Sequence, residues 1–318
     1  MVTTGNEFKN VVEKIKDNIQ KVIVGNSESI DLILISLLCK GHVLIEDVPG
    51  SGKTTLARAV SDSLDCTFGR IQFTPDLMPS DVLGVNWFNQ KSSEFEFQSG
   101  PIFNQIILAD EINRATPRTQ SALLESMQEF QVTVDGETRL LPSPFIVMAT
   151  QNPLDMEGTF PLPEAQLDRF LMKISLGYPT EQEETDIILR FHKDGELENL
   201  DPVIDSETIE NLGYFSSTVK VTETIRDYII AIVRSTRENE KLLIGASPRG
   251  SLGLFKCSQA KAALQGRGYV IPDDVKSLTN VVLSHRIIPT SNARLRGFAS
   301  KDILEEIVSE VPVPMETK

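Results

Sequence analysis

Nine residues constrain this chain more than any other stretch: Glu46-Asp47-Val48-Pro49-Gly50-Ser51-Gly52-Lys53-Thr54. A short apolar run, Val43-Leu44-Ile45, precedes them, and a helix-like segment, Thr55-Leu56-Ala57-Arg58-Ala59-Val60, follows. Strand, loop of small residues, Lys-Thr and helix is the order that a phosphate-binding loop requires. Backbone N–H groups of such a loop, and the N-terminus of its helix, face phosphate oxygens. Lys53 is placed to reach the β- and γ-phosphates, and the Thr54 hydroxyl to ligate Mg²⁺. One position departs from GxxxxGK[ST], because Asp47 stands where that pattern has Gly. A carboxylate there must turn away from phosphates or repel them, although Asp tolerates left-handed backbone better than most residues. Taken alone, the stretch also reads as a glycine-containing turn ahead of a helix.

The rest of the chain bears on that choice. Its 318 residues suffice for one large domain or two ordinary ones. Residues 6–20 carry Phe8, Val11, Val12, Ile15 and Ile19 at helical spacing, and a second helix is expected over 27–40. Residues 43–46 are short and apolar enough for a strand buried in a parallel sheet. Further strands are expected at Arg70–Phe73, Ile106–Glu111, Phe145–Thr150 and Phe170–Ile174, separated by helical segments. Strands alternating with helices give an α/β fold with a doubly wound parallel sheet of five strands and helices on both faces. Two insertions interrupt the alternation. Residues 84–100 read as two short strands in a flap carrying Trp87, Phe88, Phe95 and Phe97. Residues 130–141 read as a hairpin turning at Asp135-Gly136. Thr116-Pro117 is the expected start of a helix, with Thr as N-cap.

Near Tyr178-Pro179-Thr180 the character changes. Helices are expected at 181–193, 205–218, 222–240, 248–266 and 272–285, punctuated by prolines, with no strong strand and a frayed tail from 311. The expected division is therefore 1–179 for the α/β half and 180–318 for an all-helical half.

Composition excludes several classes. A net charge of −14 argues against nucleic acid as the main partner, since neutralising phosphates needs clustered Lys and Arg. Cys39, Cys66 and Cys257 are scattered and in no CxxC spacing, so small buried thiols in a reducing compartment are expected rather than a zinc site or a disulfide framework. The polar N-terminus lacks the apolar core of a signal peptide, and the most apolar run, Leu32 to Cys39, falls far short of a membrane span. A soluble, cytoplasmic protein is the expectation.

Five further positions carry chemistry. Asp110-Glu111 ends an apolar strand. An Asp there suits Mg²⁺, and a Glu beside it can orient or deprotonate an attacking water. Asn152, in Thr150-Gln151-Asn152-Pro153, follows the fourth strand, on the side where parallel sheets bind ligands. Its amide can hydrogen-bond both a phosphate and a water, and an Asn-Pro turn is the plainer alternative. Arg169 lies just before the fifth strand, and Arg249 opens a helix behind the N-cap Ser247 and Pro248. Each arginine taken singly is equally a solvated surface charge.

Together these motifs resemble the MoxR family of AAA+ ATPases. The resemblance rests on Gly50/Gly52-Lys53-Thr54, Leu108-Ala109-Asp110-Glu111-Ile112-Asn113-Arg114-Ala115, Ala149–Pro153, Leu162–Phe170 and Ser247-Pro248-Arg249, with Phe73–Asp81 and Ser284–Ile287 in support. They occur in the family's order over nearly the whole chain. The resemblance implies that ATP and Mg²⁺ are bound. Lys53 and Thr54 match Walker A, with Pro49, Gly50, Ser51, Gly52 and Thr55 around the phosphates. Asp110 and Glu111 match Walker B, with Thr54 and Asp110 on the metal. Asn152 matches sensor 1, and Arg249 matches sensor 2 on the helical lid. Arg169 matches the arginine finger, which acts on a neighbouring subunit's nucleotide. Val24 and Gly25 match the stretch near the adenine, residues 84–100 the helix-2 insert, and the Asp135-Gly136 hairpin the insert ahead of sensor 1. Asp47 departs from the family's usual Gly.

The function implied is a ring-forming, hexameric ATPase that remodels or matures a client protein. Metal-cofactor insertion, complex assembly and clients with von Willebrand factor A domains belong to the same implication. The flap aromatics are either client contacts or packing against the core. Two other classes stay open: a nucleotide-gated scaffold with little turnover, supported by Asp47, and a DNA-dependent AAA+ motor, which the charge opposes.

Overall fold

The computed structural model describes residues 4–47, 50–152, 158–194 and 200–314. Two helices come first, α1 (Gly5–Gln20) and α2 (Ser27–Leu38). The Thr4 hydroxyl accepts from the Glu7 N–H at 3.3 Å, and the Glu7 carboxylate accepts from the Thr4 N–H at 3.3 Å. This reciprocal pair satisfies two donors that a helix start leaves orphaned. Of the expected stripe, Phe8, Val12, Ile15 and Ile19 are buried and Val11 is partly buried.

The α/β part follows in order: β1 (Val43–Glu46), α3 (Lys53–Ser63), β2 (Phe68–Gln72), α4 (Pro79–Leu83), β3 (Gly84–Asn89), β4 (Glu94–Ser99), β5 (Ile106–Asp110), α5 (Pro117–Glu129), β6 (Gln131–Val134), β7 (Glu137–Leu140), β8 (Ile146–Gln151), α6 (Glu164–Leu167) and β9 (Met172–Ile174). Five strands form one parallel sheet in the order β2-β5-β8-β1-β9. Successive side chains on a strand point to opposite faces, so an uninterrupted apolar run serves two cores. Val43, Ile45, Ile106, Leu108, Ile146 and Met148 face the core shared with α1, α2 and α3. Leu44, Ile107, Ala109, Val147 and Ala149 face the core under α5. Both sets are fully or almost fully buried, each large side chain contributing about 1.5–3 kcal/mol.

Two antiparallel hairpins stand off this sheet. β3 pairs with β4, and β6 with β7. Asp135 and Gly136 both have positive φ, 50° and 84°, which is what a two-residue hairpin turn demands. Asn86 Nδ2 donates to Asp135 Oδ2 at 2.8 Å and joins the hairpins. Pro117 starts α5 as expected, but Thr116 makes no side-chain cap; its hydroxyl lies 3.4 Å from that of Thr119 instead.

The remaining chain is helical: α7 (Glu181–Asp194), α8 (Ser206–Ser217), α9 (Glu223–Glu238), α10 (Pro248–Leu264), α11 (Pro272–Leu283), α12 (Ser291–Leu295) and α13 (Ser300–Glu310). A short antiparallel ribbon, β10 (Leu242–Ile244) with β11 (Ile288–Pro289), is added to them. Three residues against two are too few to leave a period-two pattern in the sequence. Val311 is buried against these helices, and the tail beyond 314 lies outside the described residues.

His42 fastens two of these layers. Its Nε2–H donates to the Met127 carbonyl at 2.8 Å, and Nδ1 accepts from the Val147 N–H at 3.0 Å. Only the neutral ring can do both. Burial pushes its pKa from 6.5 down to about 4. The unfolded chain therefore binds the proton first as pH falls. Stability from this residue is complete above 6.5 and is lost on acidification towards 4, by roughly 3 kcal/mol at 1.36 per unit. Chemical denaturation of wild type and His42→Gln across that window should show a slope smaller by about one proton in the variant. Equal slopes would mean that His42 is not held neutral.

Candidate active site

A cleft of about 370 Å³ opens where β1, β5 and β8 end, lined by Gly50–Thr55, Arg70, Asp110, Glu111 and Thr150–Asn152, with Asp47 at its edge. Register puts these groups at one level, since Glu46 lies opposite Gln151, and Gln72 opposite Asp110. The carboxyl ends of parallel strands are where such sheets bind ligands.

The loop is shaped for anions. Gly50 and Gly52 have φ of +85° and +80°, and a Cβ on either would meet nothing within 4 Å. Glycine is therefore required there by backbone conformation, and the space above it is open. Gly52 leads directly into α3, so the N–H groups of its first turn border the cleft beside the Lys53, Thr54 and Thr55 side chains. Val48 and Pro49 lie outside the described residues.

The Asp47 carboxylate turns to the chain leaving β9, where Oδ2 accepts from the Leu176 N–H at 3.0 Å. Its backbone N–H donates to Gln151 O at 3.2 Å, and its carbonyl lies 3.5 Å from Lys53 Nζ. The expected turn away from the phosphates is thus made by capture on a backbone donor.

The acid pair is held from several sides. Asp110 Oδ1 accepts from the Thr150 hydroxyl at 2.8 Å, and Oδ2 pairs with Arg70 at 2.7 Å. The same Thr150 oxygen accepts from the Glu111 N–H at 2.8 Å. Glu111 adopts left-handed backbone, φ 57° and ψ 50°, which costs a non-glycine residue on the order of 1–3 kcal/mol. Its Oε2 accepts from Gln72 Nε2 at 3.1 Å and pairs with Arg114 Nε at 3.2 Å.

Other expected site residues stand apart from the cleft. Arg169 donates from Nη1 to the Leu124 carbonyl at 2.8 Å. Arg249 lies in the first turn of α10, 3.8 Å from Asp168 Oδ2. Gly25, next to Val24, has φ +70°, and a Cβ on it would meet Glu183 Oε1 at 2.0 Å, so α7 closes over a position that takes only glycine.

Arg70 and Gln72 lie in an expected strand and Arg114 within the Leu108–Ala115 stretch, with no site role expected for any of the three. A usable signal existed: polar side chains two apart at the end of a strand share one face. Among the flap aromatics, Trp87 is 45%, Phe88 49% and Phe95 75% exposed. Phe97 instead packs, under the Arg139 guanidinium at 4.1 Å and against Phe103 at 5.7 Å. Three of the four thus present an apolar surface, and one holds the flap to the body.

Comparisons with known proteins agree in both sequence and structure. Residues 42–172 match the profile of the ATPase family associated with various cellular activities (AAA), and residues 234–307 match that of the AAA lid domain. Uncharacterized protein YeaC of Bacillus subtilis is 50% identical over 95% of each chain. Chaperone MoxR1 of Mycobacterium tuberculosis is 40% identical over 93% of this chain and 80% of that protein. A crystal structure of a candidate ATPase from Cytophaga hutchinsonii superposes with a TM-score of 0.92 at 37% identity, covering 98% of this chain and 97% of that one.

Proposed function

The chain belongs to the MoxR family of AAA+ ATPases, and from that membership we propose that it is a Mg²⁺-dependent ATPase that works as a ring and remodels or matures partner proteins. The observation that carries this reading is one cleft holding both the Lys53-Thr54 loop and the fixed pair Asp110-Glu111. Lys53 and the α3 N-terminus bind and orient the phosphates. Thr54 and Asp110 would hold the metal, since a hydroxyl and a carboxylate lining one cleft are the oxygen ligands that Mg²⁺ takes, and Arg70 would give up Asp110 Oδ2 to it. When bound there, Mg²⁺ would supply charge neutralisation for the phosphates. Glu111 orients an attacking water and accepts its proton, with Gln72 and Arg114 controlling where its carboxylate points. Asn152 hydrogen-bonds the phosphate being released.

Arg169 and Arg249 fit roles that need movement or a second subunit. Arg249 reaches the phosphates as the helical half, 180–318, closes on the α/β half, 1–179. Arg169 serves the nucleotide of the adjoining subunit. Val24 and Gly25 lie near the base. The exposed flap aromatics face a client protein, with a von Willebrand factor A domain protein as one such partner. Asp47, the feature behind a nucleotide-gated scaffold with little turnover, has its carboxylate engaged by Leu176, which supports the enzyme reading instead. Among the described residues no helix is long and apolar enough to cross a membrane, and the proposed place of action is the cytoplasm.

The test is steady-state phosphate release together with mass photometry under ATPγS. Mg²⁺-dependent release and ring-sized particles are expected, and both should be absent from Lys53→Ala. Nucleotide binding by a chain that stays monomeric and releases no phosphate would overturn the reading.

A further inference from the structure

Asp168, the residue before Arg169, is a meeting point for three groups of the helical half. Arg286 follows α11, its side chain only 3% exposed, and it donates from Nε to Asp168 Oδ1 at 2.8 Å. The rest of its fork is occupied: Nη2 donates to the carbonyls of Asp168 at 3.3 Å and Phe170 at 2.7 Å, and Nη1 to Leu171 at 3.1 Å and to Val282. The Ser247 hydroxyl donates to Asp168 Oδ2 at 3.1 Å while accepting from the Arg249 N–H at 3.2 Å. The Arg249 guanidinium lies 3.8 Å from that same Oδ2.

These contacts differ in kind. Arg286 is buried and satisfied on all sides, which makes it a fixed part of the structure. Arg249 is half exposed and sits beyond hydrogen-bond range, so charge alone holds it. An exposed pair of this sort is worth up to about 1 kcal/mol. A bound triphosphate carries several negative charges, and any arginine within reach will leave a single carboxylate for it.

We infer that Asp168 is a parking site for Arg249. In a subunit without nucleotide it holds the guanidinium outside the cleft, and ATP binding takes the arginine from it. The inference rests on the reading of Arg249 as a phosphate-contacting residue and adds a competitor for it within the chain. Asp168 is a positioning residue, acting only through Arg249.

The experiment removes the charge and keeps the hydrogen bonds. In Asp168→Asn the amide oxygen still accepts from Arg286 Nε, and the amide nitrogen can donate to Ser247. Equilibrium titration with Mg·ATPγS should show binding tightened about 2–5-fold, as expected on losing an exposed ion-pair competitor. The gain should vanish when Arg249→Ala is added. A merely structural Asp168 gives weaker or unchanged binding, and that result in a folded Asp168→Asn overturns the inference, as does a gain that persists without Arg249. Arg249→Ala alone separates the two layers. If it binds ATPγS like wild type, the phosphate-contact reading falls and takes the inference with it. If it weakens binding while Asp168→Asn does not tighten it, only the inference falls. Should Asp168→Asn be too unstable to titrate, Asp168→Asn with Arg286→Met removes both partners of the buried pair and leaves no uncompensated charge. The same gain, and the same dependence on Arg249, is expected of it.

Discussion

Glu111→Gln is expected to bind ATP as wild type does and to hydrolyse it about 10²–10⁴ times more slowly, the usual contribution of a positioned general base. Several features make this effect large. The Glu111 carboxylate is not free to be replaced by a neighbour, because left-handed backbone at Glu111 and the Thr150 hydroxyl fix where its side chain starts. Gln72 and Arg114 then fix where it ends. A Gln at 111 keeps the shape and can still accept from Gln72 and Arg114, but it cannot take a proton from water. Binding is spared because the groups placed on the phosphates, Lys53 and the start of α3, are elsewhere in the cleft. Single-turnover phosphate release and equilibrium nucleotide titration separate the two effects. Weakened binding together with slow turnover would mean that Glu111 shapes the site rather than acts in it.

Arg169→Ala is expected to lower ring turnover about 10³–10⁵-fold, the range for an arginine supplied to another subunit's phosphates. That corresponds to about 4–7 kcal/mol of barrier at 1.36 per decade. In the single subunit the guanidinium is tied to the Leu124 carbonyl of α5 and is not among the groups that line the cleft, so it stands away from its own nucleotide. Mixing provides the diagnostic. Arg169→Ala subunits retain an intact Lys53, and Lys53→Ala subunits retain an intact Arg169. Rings containing both regain interfaces where a whole loop meets a whole arginine, and turnover should recover in part. Verified mixed rings with no recovery would place Arg169 in a structural role only.

How much of this was legible beforehand depended on the range of the interaction. The strands β1, β5 and β8 could be read because each is an unbroken apolar run ending in the polar residues of one cleft. Asp110, Glu111 and Asn152 were found for the same reason, as polar residues placed just beyond such runs. The hairpin at Asp135-Gly136 was legible because its turn chemistry is local. What escaped was set by pairing across the sheet. Nothing near Arg70 in sequence foretells Asp110 forty positions on, and the two meet only because β2 lies beside β5. Gln72 with Glu111 is hidden for the same reason, and Asp168 with Arg286 because that pair joins the end of α6 to the turn after α11. The ribbon of β10 and β11 is too short to leave a pattern, whereas α13 does carry a readable one, Ile303, Leu304 and Ile307 at helical spacing.

The capture of Asp47 by Leu176 has a mechanical consequence. Leu176 lies on the strap of chain between β9 and α7, so any displacement of that strap pulls first on the head of the phosphate loop. The fastening is one backbone N–H on one carboxylate, worth about 1.5–3 kcal/mol. At about 1.4 kcal/mol per decade, such a link biases the strap and loop to travel together by about ten- to a hundred-fold without welding them. It behaves as a slip clutch: gentle strain is transmitted to the loop, and larger strain lets go.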